Sequence, residues 1–176
     1  MKLLTFLLLF LASHLHTVLA TVGVVCESND DCGTNEECSS LACSCTLGYH
    51  DTDADNTCNA CDTGYYKSSV GEQACSIAAA GTQTTNSEGA SVSTAATQAT
   101  NCPPGFYSSG GATKCTRAAA GFFSADADGD AVGTAAVQEV ACTAGYYSSE
   151  SSSACTIATA GYFATNSGGI GASTAA

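Results

Sequence analysis

The chain has 176 residues, with 16 acids against four Lys and Arg, twelve Cys and no Trp. A net charge of −12 excludes the basic footprint that nucleic-acid binding needs and disfavours anionic lipid surfaces. Leu, Ile, Val and Phe supply only 17 of the 156 residues after Ala20, about half the fraction below which a chain is suspected of lacking a core, so one large packed core is excluded as well.

The first segment, residues 1–20, reads as a secretory signal. Met1–Lys2 is a short basic start, Leu3–Ala12 is almost wholly apolar, and Val18-Leu19-Ala20 offers small or modest residues for cleavage between Ala20 and Thr21. Ser13, His14, His16 and Thr17 break the run beyond the apolar core, which leaves that core short for a membrane span. No other apolar run occurs, so direct membrane insertion is not expected of these residues. Without the signal the charge becomes −13, from Lys67, Lys114 and Arg117 against sixteen acids. A secretory route with an even number of Cys implies a disulfide framework, hence a secreted or cell-surface protein.

Residues 21–59 hold six closely spaced Cys: Cys26, Cys32, Cys38, Cys43, Cys45 and Cys58. Spacing alone allows fifteen pairings of six Cys. The single residue between Cys43 and Cys45, followed by C-x-x-G-Y from Cys45, resembles the EGF-like module. That resemblance implies two small β-hairpins with Cys26–Cys38, Cys32–Cys43 and Cys45–Cys58. The segment before Cys26, Val22-Gly23-Val24-Val25, lacks the oxygen ligands of the calcium-binding members, and Glu37 stands where signalling members carry a modified Ser or Thr.

From residue 60 the chain repeats. Gly64, Gly105 and Gly145, Gly81, Gly121 and Gly161, and Cys75, Cys115 and Cys155 each recur at steps of 40 or 41 residues. The units are 60–101, 102–141 and 142–176, each written C-x-x-G-[FY]-Y, a Ser/Gly-rich loop, C-[ST]-x-A-x-A-G and an Ala/Thr-rich tail. The expected fold is small disulfide-rich β, an elongated array of short stapled hairpins that is partly irregular. Two pairing schemes compete. Each pair can close its own hairpin, as Cys61–Cys75, Cys102–Cys115 and Cys142–Cys155; or neighbours can link, as Cys75–Cys102 and Cys115–Cys142. The first uses every Cys and closes loops of about 15 residues, each worth roughly 3 kcal/mol. The aromatic pairs Tyr65–Tyr66, Phe106–Tyr107 and Tyr146–Tyr147 are expected to lie over the adjacent disulfide. The tails 82–101 and 122–141 show no period of 2 or 3.6 and read as weakly ordered strands and turns.

These repeats resemble the Cys-rich repeats of ciliate surface proteins of the immobilisation-antigen type, and are similar to ephrin-receptor-like and TNF-receptor-like Cys-rich modules. Those families often read C-x-x-C-P-x-G. Here Ala78, Ala118 and Ala158 stand at the second Cys place, and Ala99 and Glu139 at its partner's. A whole disulfide is missing, without a free thiol, which predicts a softer segment after each stapled one.

Catalytic chemistry is thinly supplied. His50 is the only His after the signal, in a loop beside Tyr49 and Asp51, and is expected to face solvent. Cys58-Asn-Ala-Cys61 lacks the thioredoxin-like or zinc-binding context a C-x-x-C needs. Asp51-Thr-Asp53-Ala-Asp55 and Asp126-Ala-Asp128-Gly-Asp130 lack the Gly and Glu of an EF-hand loop and read as acidic turns. No metal, no cofactor and no catalytic residue is expected, and no N-x-[ST] sequon occurs. The register of the last repeat runs past Ala176, so the chain reads as part of a longer array that would carry any lipid anchor or transmembrane segment. The expected role is a non-catalytic surface coat or adhesive display protein, with an extracellular protein or glycan as partner. The alternative is the ectodomain of a signalling or adhesion receptor whose EGF-like module binds a protein.

Overall fold

A turn glycine sets the frame of the molecule. The computed structural model describes residues 26–52 and 57–165, so the cleavage site Ala20–Thr21 and the run Asp53–Asn56 lie outside the described residues. Seven stretches share one turn: Cys45-Thr-Leu-Gly48, Cys61-Asp-Thr-Gly64, Ala78-Ala-Ala-Gly81, Cys102-Pro-Pro-Gly105, Ala118-Ala-Ala-Gly121, Cys142-Thr-Ala-Gly145 and Ala158-Thr-Ala-Gly161. Their glycines have φ between 77 and 89°. The residue after each Gly donates its N–H three residues back, as Phe106 does to Pro103 at 3.1 Å and Phe122 to Ala119 at 3.0 Å. This is type II turn geometry, which requires φ > 0 at the third position and favours Pro at the second, where Pro104 sits.

The described chain is almost entirely short antiparallel hairpins held by six disulfides, a small disulfide-rich β fold. A 3-10 helix over Asn29–Asp31 precedes β1 (Glu36–Ser39), which pairs with β2 (Ala42–Cys45). Their two-residue connection, Ser40 and Leu41, has φ of 55 and 66°, the left-handed pair that suits a tight hairpin. Then β3 (Tyr49–His50) pairs with β4 (Asn59–Ala60), and β5 (Tyr65–Tyr66) with β6 (Ser76–Ile77). A longer hairpin, β7 (Thr82–Thr85) with β8 (Gln98–Asn101), comes next. The alternation continues with β9 (Phe106–Tyr107) and β10 (Thr116–Arg117), β11 (Phe122–Ala125) and β12 (Gln138–Ala141), and β13 (Tyr146–Tyr147) and β14 (Thr156–Ile157).

Consecutive hairpins hand over through one hydrogen bond. The residue that opens each turn stretch donates its N–H to the previous turn glycine: Cys61 to Gly48, Ala78 to Gly64, Cys102 to Gly81, Ala118 to Gly105, Cys142 to Gly121 and Ala158 to Gly145, at 2.8–2.9 Å. Cys and Ala are thus structurally equivalent here, and equally buried: Cys61, Cys102 and Ala118 at 0%, Ala78 and Cys142 at 1% exposure. Cys45 opens the series with no turn glycine before it, and its N–H donates to the Glu72 carboxylate at 3.3 Å instead. The β3–β4 hairpin belongs to this series, although it straddles the break in Cys spacing at residues 59 and 60.

One expectation needs correction. The tails are not weakly ordered: they form β7–β8 and β11–β12, whose four-residue strands are twice the length of the stapled ones. Their inward positions carry Thr84, Thr85, Ser124 and Ala125, all fully buried. No Leu, Ile, Val, Phe or Tyr is buried among the described residues; apart from Lys67 and the turn glycines, the interior is Cys, Ala, Thr and Ser.

Candidate interaction surface

The closest approach is between hairpins two apart. A methyl group at Gly48, Gly64, Gly81 or Gly105 would collide with the carbonyl of Ala95, Gly111, Ala135 or Ser151 respectively. Each of these four opposing residues also has a left-handed φ, from 51 to 60°. Their N–H groups donate to the hairpin in between, for example Gly111 to Ala78 at 2.7 Å and Ser151 to Ala118 at 2.9 Å. The hairpins that follow Gly48, Gly64, Gly81 and Gly105 are therefore each clamped by the next two, and this positions their outward side chains.

The stapled hairpins repeat one outward pairing. Tyr65 is the cross-strand partner of Ile77, Phe106 of Arg117, and Tyr146 of Ile157. Ile77, Arg117 and Ile157 are exposed, as are Tyr65 and Tyr146, while Phe106 is half-buried. One aromatic beside one long side chain is thus presented on each stapled hairpin, once per 40-residue step. Arg117 is also ion-paired with Glu150 at 2.8 Å, an exposed pair that adds little stability. This surface was missed in the sequence because both members of each pair lie in two-residue strands, where no hydropathy period can register.

The repeat Cys close their own hairpins, and the neighbour-linking pairs Cys75–Cys102 and Cys115–Cys142 are not formed. The disulfides are Cys26–Cys38, Cys32–Cys43, Cys45–Cys58, Cys61–Cys75, Cys102–Cys115 and Cys142–Cys155, with Cα–Cα separations of 5.5–5.8 Å. No free cysteine is present. Cys26, Cys32 and Cys43, and Cys45, Cys58 and Glu72, cluster as metal-ligating groups do. Their sulfurs are all tied up in disulfides, so no thiolate is available as a ligand. Cys58 and Cys61 belong to different disulfides, and neither is available for redox exchange with the other.

His50 is not a loop residue. It lies in β3 opposite Asn59, half-buried, with Nδ1 buried and unpartnered. The run Asp126–Asp130 is a side-chain-capped turn: Asp126 Oδ1 accepts N–H groups from Asp128 at 3.0 Å and Asp130 at 2.9 Å. Asn86 does the same for Glu88 and Ala90 one repeat earlier. An amide serves as well as a carboxylate, so the turn needs an oxygen acceptor rather than a charge.

Lys67, Asp31 and Tyr107 titrate away from their ordinary values. Lys67 is only 4% exposed, and burial pushes its ammonium below the lysine range, partly offset by Glu72. Its Nζ donates to the carbonyl of Cys45 at 3.3 Å, tying β5–β6 to the hairpin before it. Backbone N–H groups of Glu27 and Ser28 hold the Asp31 carboxyl below the usual range. Burial, then the Glu139 carboxylate, raises the Tyr107 phenol.

No protein-family model and no curated protein matches this chain. Among the described residues no helix is long and apolar enough to cross a membrane.

Proposed function

We propose that this chain is a non-catalytic extracellular protein of a surface coat or adhesive display layer, with an EGF-like module leading into repeats of the ciliate surface-antigen kind. The observation that carries the reading is that all twelve Cys are closed into six disulfides while no large apolar side chain is buried among the described residues. Such a framework is stable in an oxidising compartment and not in a reducing one. The exposed Tyr65, Ile77, Tyr146 and Ile157, at the same register positions of their stapled hairpins, support a role in presenting surface to an extracellular protein or glycan. Mechanism here means repeating these side chains once per 40-residue unit without a large core.

The test is a comparison of non-reducing and reducing peptide maps from chain recovered after secretion, together with surface labelling of the producing cells. Fully paired Cys in exported protein is the expected result. Free thiols at most Cys, or retention in the cytosol, would sink the proposal. Hydrolase activity abolished by His50→Ala would overturn the non-catalytic part of it.

A further inference from the structure

Glutamine and lysine side chains divide by what holds them. The chain has four Gln, all among the described residues. Three are half-buried and spend their amides on the backbone. Gln83 Oε1 accepts the N–H of Cys115 at 2.9 Å, while Gln98 donates to the Asn86 carbonyl at 2.7 Å and Gln138 to the Asp126 carbonyl at 2.6 Å. Gln73 is exposed, and its amide makes no such bond among the described residues. The two Lys after residue 20 divide in the same way. Lys67 is buried, with Nζ on the Cys45 carbonyl at 3.3 Å. Lys114 is exposed, with neither an ion pair nor a hydrogen bond from its ammonium among the described residues.

The two free groups sit in matching places. Gln73 lies two residues before Cys75, in the loop closed by Cys61–Cys75. Lys114 lies one residue before Cys115, in the loop closed by Cys102–Cys115. Each staple fixes the ends of its loop and leaves the side chain in solvent. Glu72 stands beside Gln73, so its carboxylate draws the Lys114 cation of another copy to this loop. The large excess of acids over cations makes copies repel at long range, so lasting association calls for a covalent bond.

We propose that Gln73 and Lys114 are a cross-linking pair, joined between copies as an isopeptide by an extracellular acyltransferase of the transglutaminase class. The enzyme's thiolate attacks Cδ of Gln73, the C–N bond breaks and the amide nitrogen leaves as ammonia. The neutral Lys114 amine then attacks the thioester. A new C–N bond forms, and the amine's proton returns to the released sulfur. No oxidant or reductant is consumed. One copy's Gln73 joins the next copy's Lys114, so the linkage is heterologous and copies extend into open chains. This deepens the coat reading and rests on its extracellular placement.

Purified transglutaminase added to the exported, oxidised chain tests it. Dansylcadaverine, a fluorescent primary amine, reports the acyl donor, and peptide mapping locates it. Label is expected at Gln73 and at none of the other three Gln. With the probe omitted, a ladder of multimers that survives reduction is expected. Gln73→Asn is expected to abolish both label and ladder. Lys114→Arg is expected to keep the label and abolish the ladder, a split that misfolding would not produce. Label at Gln83, Gln98 or Gln138, no label at all, or a ladder that persists in Lys114→Arg overturns the proposal. So does loss of ammonia without multimers, the mark of a bond within one chain. All these outcomes are read on exported protein, so they are distinct from the thiol and retention results that decide the coat reading.

Discussion

From β5 onward stapled and unstapled hairpins alternate, and they solve the same problem by different means. The stapled ones, such as β9–β10, have two-residue strands and a disulfide, Cys102–Cys115. The unstapled ones, such as β11–β12, have four-residue strands and none. By register, Ala99 and Glu139 stand where Cys75 does on its strand, so the missing disulfide would have joined Ala78 to Ala99 and Ala118 to Glu139. Covalent closure and ladder length substitute for one another here. The unstapled hairpins add a side-chain-capped turn at Asn86 or Asp126, and Glu139 accepts the N–H of Ala119 at 2.9 Å, closing noncovalently what a disulfide would have closed.

The strongest way to break this comparison is to remove a staple. Replacing Cys102 and Cys115 together with Ala should cost about 3 kcal/mol, because a two-residue ladder cannot hold the hairpin against the lost loop closure. Denaturant unfolding under non-reducing conditions measures it; a loss below about 1 kcal/mol would mean that the clamp from neighbouring hairpins, not the disulfide, holds the stapled units. Next in size is Gly105→Ala, which sets a methyl against the Ser151 carbonyl at a left-handed φ. It should cost about 2–3 kcal/mol, against about 1 kcal/mol for Gly89→Ala, which has a similar φ and open space. Equal losses at the two sites would refute the clamp. The comparison is sharpened by adding a staple: Ala78→Cys with Ala99→Cys should form a seventh disulfide and stabilise the chain by up to about 3 kcal/mol. A free-thiol assay showing two unpaired Cys would reject the register equivalence.

The smallest effect is Glu139→Gln, expected to cost about 1 kcal/mol by weakening the bond to Ala119. It also removes one cause of the raised Tyr107 phenol, after burial. Because the folded phenol titrates above its ordinary value, the stability it contributes is complete below about pH 10 and is lost as pH climbs through the folded value. Alkaline absorbance titration should show one tyrosine ionising later than the rest, and moving down toward them in the Gln variant.

Much of the architecture was legible from punctuation rather than from hydropathy. The 40-residue step of Gly and Cys predicted a small disulfide-rich β array. Cys102-Pro-Pro-Gly105 carried its turn type openly. The long hairpins were illegible because their buried positions are Thr84, Thr85, Ser124 and Ala125, which look like linker composition. Backbone bonds to the next hairpin, such as Thr84 to Ala112 at 2.9 Å, do what apolar alternation does in ordinary strands. His50 was misplaced because a two-residue strand leaves no pattern to read. The exposed pairs were hidden for the same reason, with Tyr65 and Ile77 meeting across a loop. The equivalence of Ala78 with Cys61 was visible, but not the fact that both fill the same narrow interior.

The alternation also gives the molecule a graded response to tension. Force applied along the chain bypasses the loop closed by Cys61–Cys75, which can yield no length while the disulfide lasts. The unstapled hairpin from Thr82 to Asn101 can unravel, and its residues release about 70 Å of contour. Stretching such an array lengthens it in discrete steps between fixed covalent stops, so it is an extensible tether with a built-in limit.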